Sequence, residues 1–136
     1  MNWVLLLKSF RSLFFNPLRG AYLNIIFENM PVGFSAYDLK KNKFIWANPY
    51  FLDKVGLTND DLINSGNNWT NFVHKEDLYK TTKTASSNWQ NGFLPLFKNR
   101  WINQKTGQDI AMYWTVINYG GIAIGMSRYE NELIDG

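Results

Sequence analysis

Residues Phe97–Arg128 constrain the fold of this chain more than any other stretch. They read FKNRWINQKTGQDIAMYWTVINYGGIAIGMSR: three runs rich in β-branched and aromatic residues, parted by two turn signals. Gln104-Lys105-Thr106-Gly107 marks the first turn and Tyr119-Gly120-Gly121 the second, with glycines where tight hairpins demand positive φ. Runs this short and this β-rich predict strands rather than helices. The stretch is therefore expected to be a three-stranded antiparallel meander. A meander has to bury one face, so the rest of the chain must supply its cover.

What remains is enough for that cover and for little else. The chain has 136 residues, the length of one compact domain. Six Trp and ten Phe bring the aromatic share to 17%, which predicts a sizeable core or a ligand pocket. There is no Cys, so disulfides, thiolate metal sites and cysteine chemistry are excluded. The net charge of +3 is unevenly spread: Lys8, Arg11 and Arg19 face no acid in residues 1–20, and the rest of the chain balances eleven bases against eleven acids. A domain without a basic stripe is not built for nucleic acid.

Residues 2–15, NWVLLLKSFRSLFF, have the pattern of an amphipathic helix. Trp3, Leu6, Leu7, Phe10, Leu13 and Phe14 share one face, with Lys8, Ser9, Arg11 and Ser12 on the other. Asn16-Pro17 and Gly20 are expected to end it. Lys8 interrupts the apolar run too early for a membrane span, and neither a leading charge nor a small-residue cleavage site marks a signal peptide. The apolar face is expected to pack on protein, as a dimerisation or docking helix; contact with a membrane surface is the alternative. This pattern suits a cytoplasmic protein, or one peripheral to a membrane.

Ala21–Met30 is expected to form a second helix, stopped by Pro31. Val32–Leu39 and Lys43–Ala47 read as a hairpin around a polar turn. Asn48-Pro49 then has the form of an N-cap and first helical residue, with Phe51, Leu52 and Val55 inward and Gly56 as terminator. Thr58 can cap a further short helix over Asp60 and Asp61, with Leu62 and Ile63 as its apolar pair. A longer helix is expected from Lys75 to Trp89, ended at Asn91-Gly92. The first meander strand follows over Phe93–Asn103, where Pro95 requires an edge or a bulge. Two strands, a helical segment and three more strands make an α+β domain with one antiparallel sheet.

In this order the pieces resemble a PAS domain, the sensory module of many signalling proteins. Ile26–Gly33 (IFENMPVG) is similar to the "ifenmp-gi" entry of the family, and Phe44–Phe51 (FIWANPYF) to its second strand and "N-x-x-F" helix start. Val55–Leu62 resembles the "G-y-t-x-e-E-l" segment, and Phe72–Asp77 resembles "lvHPeD" with Lys75 in place of Pro. Phe97–Trp101, Lys105-Thr106-Gly107 and Trp114 resemble "fenRyr-kdG-W". Ile122–Arg128 resembles the "giaRDiT" strand, with Ser127-Arg128-Tyr129 replacing its end. The resemblance spans about residues 24–129. It implies a five-stranded sheet in the order 2-1-5-4-3 with helices on one face, in a domain of residues 21–130. Residues 1–20 are expected to be a preceding amphipathic helix and 131–136 a short tail, with Glu130–Gly136 too short and acidic to make much of a helix.

The resemblance further implies a ligand pocket between sheet and helices, for which Trp46, Phe51, Val55, Phe72, Trp89, Asn99 and Trp114 are the candidate lining. An empty pocket or a small ligand is the first expectation. FAD or FMN held without a covalent bond is an alternative, with Trp46, Trp69, Trp89 and Asn99 to stack on or hydrogen-bond to the ring; the cysteine adduct of photoactive flavin members is excluded. Haem is disfavoured, because the lone His74 reads as a helix-cap residue and one His makes no metal site. Arg100 could meet a carboxylate ligand but is expected on a solvent-exposed strand face. Asp60-Asp61 and Glu76-Asp77 serve helix starts and form no acid–base couple. Ala123, Gly125 and Ser127 give the last strand one flat face, suited to a ligand or to the N-terminal helix. The expected function is non-catalytic: a sensor or regulator, free of an attached output domain, that signals as a homodimer or through a separate protein. A small cone-shaped α+β enzyme or carrier is the remaining alternative; it would need a buried Asp or Tyr of perturbed pKa in its pocket.

Overall fold

The computed structural model describes residues 17–64, 69–87 and 92–134. The chain divides into two units, residues 1–30 and 31–136. In the first, helix α1 runs over Pro17–Asn29. Pro17 suits a first helical turn, where its missing N–H is not needed. The expected break at Gly20 does not occur. One interior glycine costs only about 1 kcal/mol, too little to stop the helix. The Met30 N–H closes the last turn on the Ile26 carbonyl at 2.9 Å, and Pro31 follows.

The second unit contains β1 (Gly33–Asp38), β2 (Lys43–Ala47), α2 (Pro49–Val55), α3 (Asn59–Asn64), a 3-10 turn (Trp69–Asn71), α4 (Lys75–Ser87), β3 (Phe93–Ile102), β4 (Asp109–Tyr119), β5 (Ile122–Tyr129) and α5 (Glu130–Ile134). The strands form one sheet in the order β2-β1-β5-β4-β3, each neighbouring pair antiparallel. The expected meander is β3–β5, and its last strand lies at the centre between β1 and β4. Gly107 at φ 72°, and Gly120 and Gly121 at φ 60° and 85°, make the two turns in the left-handed region. Pro95 meets both of its conditions: β3 is an edge strand, and its register shifts between Leu94 and Phe97.

Asn48 joins the hairpin to the helices. Its side-chain oxygen accepts the Phe51 N–H at 3.3 Å as the cap of α2 and the Phe34 N–H of β1 at 2.8 Å, while its amide donates to the Val32 carbonyl at 2.8 Å. Gly56 ends α2 at φ 69°. The Val55 carbonyl at that end accepts the Gln104 N–H at 2.8 Å, so the β3–β4 turn caps the helix. Thr58 and Asp61 cap α3 reciprocally, with the Asp61 N–H on Thr58 Oγ1 at 3.1 Å. The exposed edge of β3 is covered by residues 72–74: the Ile102 N–H donates to the Phe72 carbonyl and the His74 N–H to the Arg100 carbonyl, both at 2.8 Å.

Phe51 and Val55 of α2 and Leu62 of α3 are fully buried with Phe44, Phe72, Trp101, Met112 and Trp114 in one core. A bulge sets which β2 side chains join it. Ala36 pairs with Trp46 and Tyr37 with Phe44, so Ile45 is the extra residue. Phe44 and Ala47 both turn inward, and Trp46 is left half-buried.

The C-terminal segment departs from expectation. Glu130–Ile134 is helical, because its acids are matched one by one. Glu130 pairs with Lys98 at 2.6 Å, and Glu132 with Lys54 at 2.5 Å and the Tyr50 hydroxyl at 2.6 Å. Among the described residues no helix is long and apolar enough to cross a membrane.

Candidate functional site

The inward face of the sheet and α4 border a pocket of about 130 Å³. Its geometry follows from strand alternation. Phe97, Asn99 and Trp101 come from β3, Trp114 and Val116 from β4, Ala123 and Gly125 from β5, and Ser35 and Tyr37 from β1. Leu39, Phe44, Leu94, Trp69 of the 3-10 turn, and Thr81 and Ala85 of α4 complete the lining. The opening exists because small residues face large ones. Gly125 has no room for more: a Cβ there would lie 2.9 Å from Trp114 Cζ3 and 3.0 Å from Ser35 Oγ.

The aromatic wall is closely packed. Trp101 packs edge-on to Phe51 at 5.4 Å, lies 5.2 Å from Trp114 and stacks on Phe72 at 6.3 Å. Its indole N–H donates to Asn99 Oδ1 at 2.8 Å, and Asn99 Nδ2 reaches Thr81 Oγ1 at 3.4 Å, which links β3 to α4. Two buried donors on the wall, the Tyr37 hydroxyl and Trp114 Nε1, find no acceptor among the described residues. Burial raises the Tyr37 pKa above the usual phenol range, a pull that the nearby Trp69 N–H opposes only in part.

Of the expected lining, Asn99 and Trp114 border the pocket, as does Trp69 from the flavin set. Phe51, Val55 and Phe72 are core residues behind the wall and not part of it. Trp46 is removed by the β2 bulge. Trp89 lies outside the described residues, as do Trp3, Leu6, Leu7, Phe10, Leu13 and Phe14. Tyr37, Trp101 and Phe97 were missed, although alternation could have found the last two: they flank Asn99 at two-residue spacing on one strand. Of the three small residues of β5, Ala123 and Gly125 border the pocket and Ser127 does not.

Arg100 does not project freely. Its guanidinium holds Asp77 through Nε and Nη2, both at 2.9 Å, and Glu76 at 3.1 Å, and its backbone N–H adds a bond to Asp77 at 2.8 Å. The Arg100 bonds hold the Asp77 carboxyl below its usual range despite partial burial, and the Arg100 pKa is raised in turn by Asp77 and Glu76. This cation fastens the start of α4 to β3 and is spent there. His74 accepts the Glu76 N–H on Nδ1 at 3.1 Å, as a residue at a helix start does.

A single antiparallel sheet whose one face is roofed by short helices over a small, mostly apolar pocket defines an α+β domain with a pocket in its core. Residues 21–86 match the family model described as PAS domain, and the sheet order is the one that family implies. The fold is PAS-like. Solved structures share the fold. A domain of a sensory box sensor histidine kinase/response regulator from Geobacter sulfurreducens is 16% identical, with 81% of this chain and 93% of that one covered at a TM-score of 0.63. The LOV protein of Rhodobacter sphaeroides is 13% identical, with 85% and 68% covered and a TM-score of 0.67. The PAS domain of a LuxR-family transcriptional regulator from Burkholderia thailandensis, solved in complex with ethanol, is 10% identical, with 79% and 96% covered and a TM-score of 0.63. At these identities the likeness is one of fold. No curated protein matches the sequence.

Proposed function

We propose that this PAS-like domain is a non-catalytic sensor that holds a small molecule between sheet and helices and acts by self-association or on a separate protein partner. The pocket carries the reading. At about 130 Å³ it is close to an engineered cavity of about 150 Å³ that accepts benzene. One small ring fills it, whereas the three fused rings of FAD or FMN need more room, so flavin is the weaker alternative. The ethanol held by the Burkholderia domain suits a small ligand in this fold. The enzyme alternative asks for a perturbed group in the pocket, and Tyr37 is one. A phenol raised in pKa stays protonated and donates; it makes a poor base. None of the described lining residues is Asp, Glu, His, Lys or Arg, so Tyr37 has no titratable partner for proton transfer.

Native mass spectrometry of the full chain tests ligand and assembly together. A retained adduct of low mass, shed on mild activation, is the expected result. A bound flavin mass would replace this reading with the flavin one. A bare chain whose melting temperature no small apolar molecule raises would remove the ligand from it.

A further inference from the structure

The pocket wall narrows the chemistry of the small ligand proposed for this domain, and that chemistry stands only if such a ligand binds. Tyr37 and Trp114 each leave about 5% of their surface exposed, and both border the pocket. The Tyr37 hydroxyl and the Trp114 indole N–H meet no acceptor among the described residues. A buried donor left unmade costs about 1–3 kcal/mol, and native proteins leave few. Two on one pocket wall point to something that accepts from them.

The surrounding groups restrict what that can be. Two of the wall's acceptors are engaged: Asn99 Oδ1 takes the Trp101 N–H and Thr81 Oγ1 the Asn99 amide, which leaves the Ser35 hydroxyl. A ligand hydroxyl or amine would bring hydrogens for which, among the described side chains, the Ser35 hydroxyl is the main remaining acceptor. A water would do the same with two. A carbonyl or ether oxygen brings none. Charge is disfavoured as strongly. Nothing ionised at neutral pH is among the described lining, Arg100 is held by Asp77 and Glu76, and an unpaired buried charge is costly.

We propose that the pocket takes a neutral, compact molecule of about six to eight heavy atoms, apolar except for one carbonyl- or ether-type oxygen that accepts the hydrogen bond of the Tyr37 hydroxyl. Cyclohexanone and methylcyclohexane have the same number of heavy atoms and differ in that oxygen, so each serves as probe on the full chain and on its Tyr37→Phe variant. Comparing each probe with itself removes their difference in water solubility. Loss of the hydroxyl is expected to weaken cyclohexanone about tenfold, the worth of one hydrogen bond, and to leave methylcyclohexane within about twofold. Retained methylcyclohexane binding also shows that the variant is folded. If both probes change alike, the pocket selects by shape alone: the acceptor inference fails and the small-ligand reading stands. If neither probe binds the wild-type chain, both fail. A second measurement needs no variant. The carbonyl carbon of labelled cyclohexanone bound to the wild-type chain should resonate downfield of its position in alkane, and an unshifted carbonyl overturns the hydrogen bond.

Discussion

Asn48 shows how much one side chain can decide. It is fully buried, and three bonds, to Phe34, Phe51 and Val32, join β1 to the start of α2. Asn48→Ala leaves two backbone N–H groups without their side-chain acceptor. The expected loss is about 3 kcal/mol of unfolding free energy, read from denaturant midpoints at an unchanged slope. A loss below about 1 kcal/mol would mean that water replaces the amide at no cost. The cap itself was legible, because Asn-Pro before an apolar helix has a mechanism. The bond to β1 was not, since a contact across fourteen positions leaves no local trace. The same divide separates the pocket residues. Asn99 and Trp114 were found through family motifs. Tyr37 was missed because its hydroxyl matters only once Ala123 and Gly125 open space before it. Trp46 is left out of the pocket because a bulge at Ile45 shifts the alternation of β2, which no sequence signal marks.

Among elements, α5 has the most conditional existence. A helix of five residues cannot persist alone in water, so its contacts hold it. The Tyr50 hydroxyl donates to Glu132 and accepts the Tyr129 N–H at 3.0 Å, and the Lys54 ammonium lies 5.1 Å from the centres of the Tyr50 and Tyr129 rings while pairing with Glu132. Burial pushes the Glu132 carboxyl upward, but Lys54 and Tyr50 together pull it below its ordinary value. Burial first, and the Glu132 bond second, push Tyr50 up to about 12. The signs define a window. A carboxylate depressed in the folded state stabilises α5 at neutral pH, and this is lost as pH falls through the depressed value. A phenol raised in the folded state stabilises it up to the free-phenol range, about 10, and loses this as pH climbs toward the raised value. The amide resonances of Asn131 and Glu132 should therefore stay constant from about pH 6 to pH 9 and move at both extremes. In Glu132→Gln the acid-side change should vanish and the 130–134 amides should exchange faster, with global stability altered by less than about 1 kcal/mol. Acid-side behaviour equal to wild type would assign the transition to another group. Sequence reading saw only the acids of this segment. It could not see that Lys54 and Lys98, distant in the chain, arrive to match them.

At the scale of the whole molecule the sheet was legible, and at the N-terminal side only the expected break at Gly20 was not found. Turn glycines, alternation and Pro95 act locally, so they gave strand positions within one or two residues, and the family motifs supplied the strand order. Of the two expected breakers, Pro17 stands at a helix start, whereas Gly20 lies inside α1, where one glycine costs only about 1 kcal/mol. Since α1 begins at Pro17, the segment proposed to mediate assembly is best removed as residues 1–16, which leaves α1 whole. That segment holds Trp3, Leu6, Leu7, Phe10, Leu13 and Phe14 against Lys8 and Arg11, and such a stripe lowers its free energy by burial against protein or lipid. If self-association runs through it, the full chain should scatter light as a dimer at micromolar concentration and the chain lacking residues 1–16 as a monomer, with an unchanged denaturation midpoint at high dilution. An equal mass for both would place assembly elsewhere. A full chain that is monomeric in buffer yet floats with anionic liposomes, where the shortened chain does not, would assign the stripe to the membrane surface. The pocket offers a control on both outcomes. It lies wholly within residues 31–136, so cyclohexanone should bind the two chains equally. An affinity that changes with assembly would instead mean that ligand and partner are coupled, with the same factor read from either side.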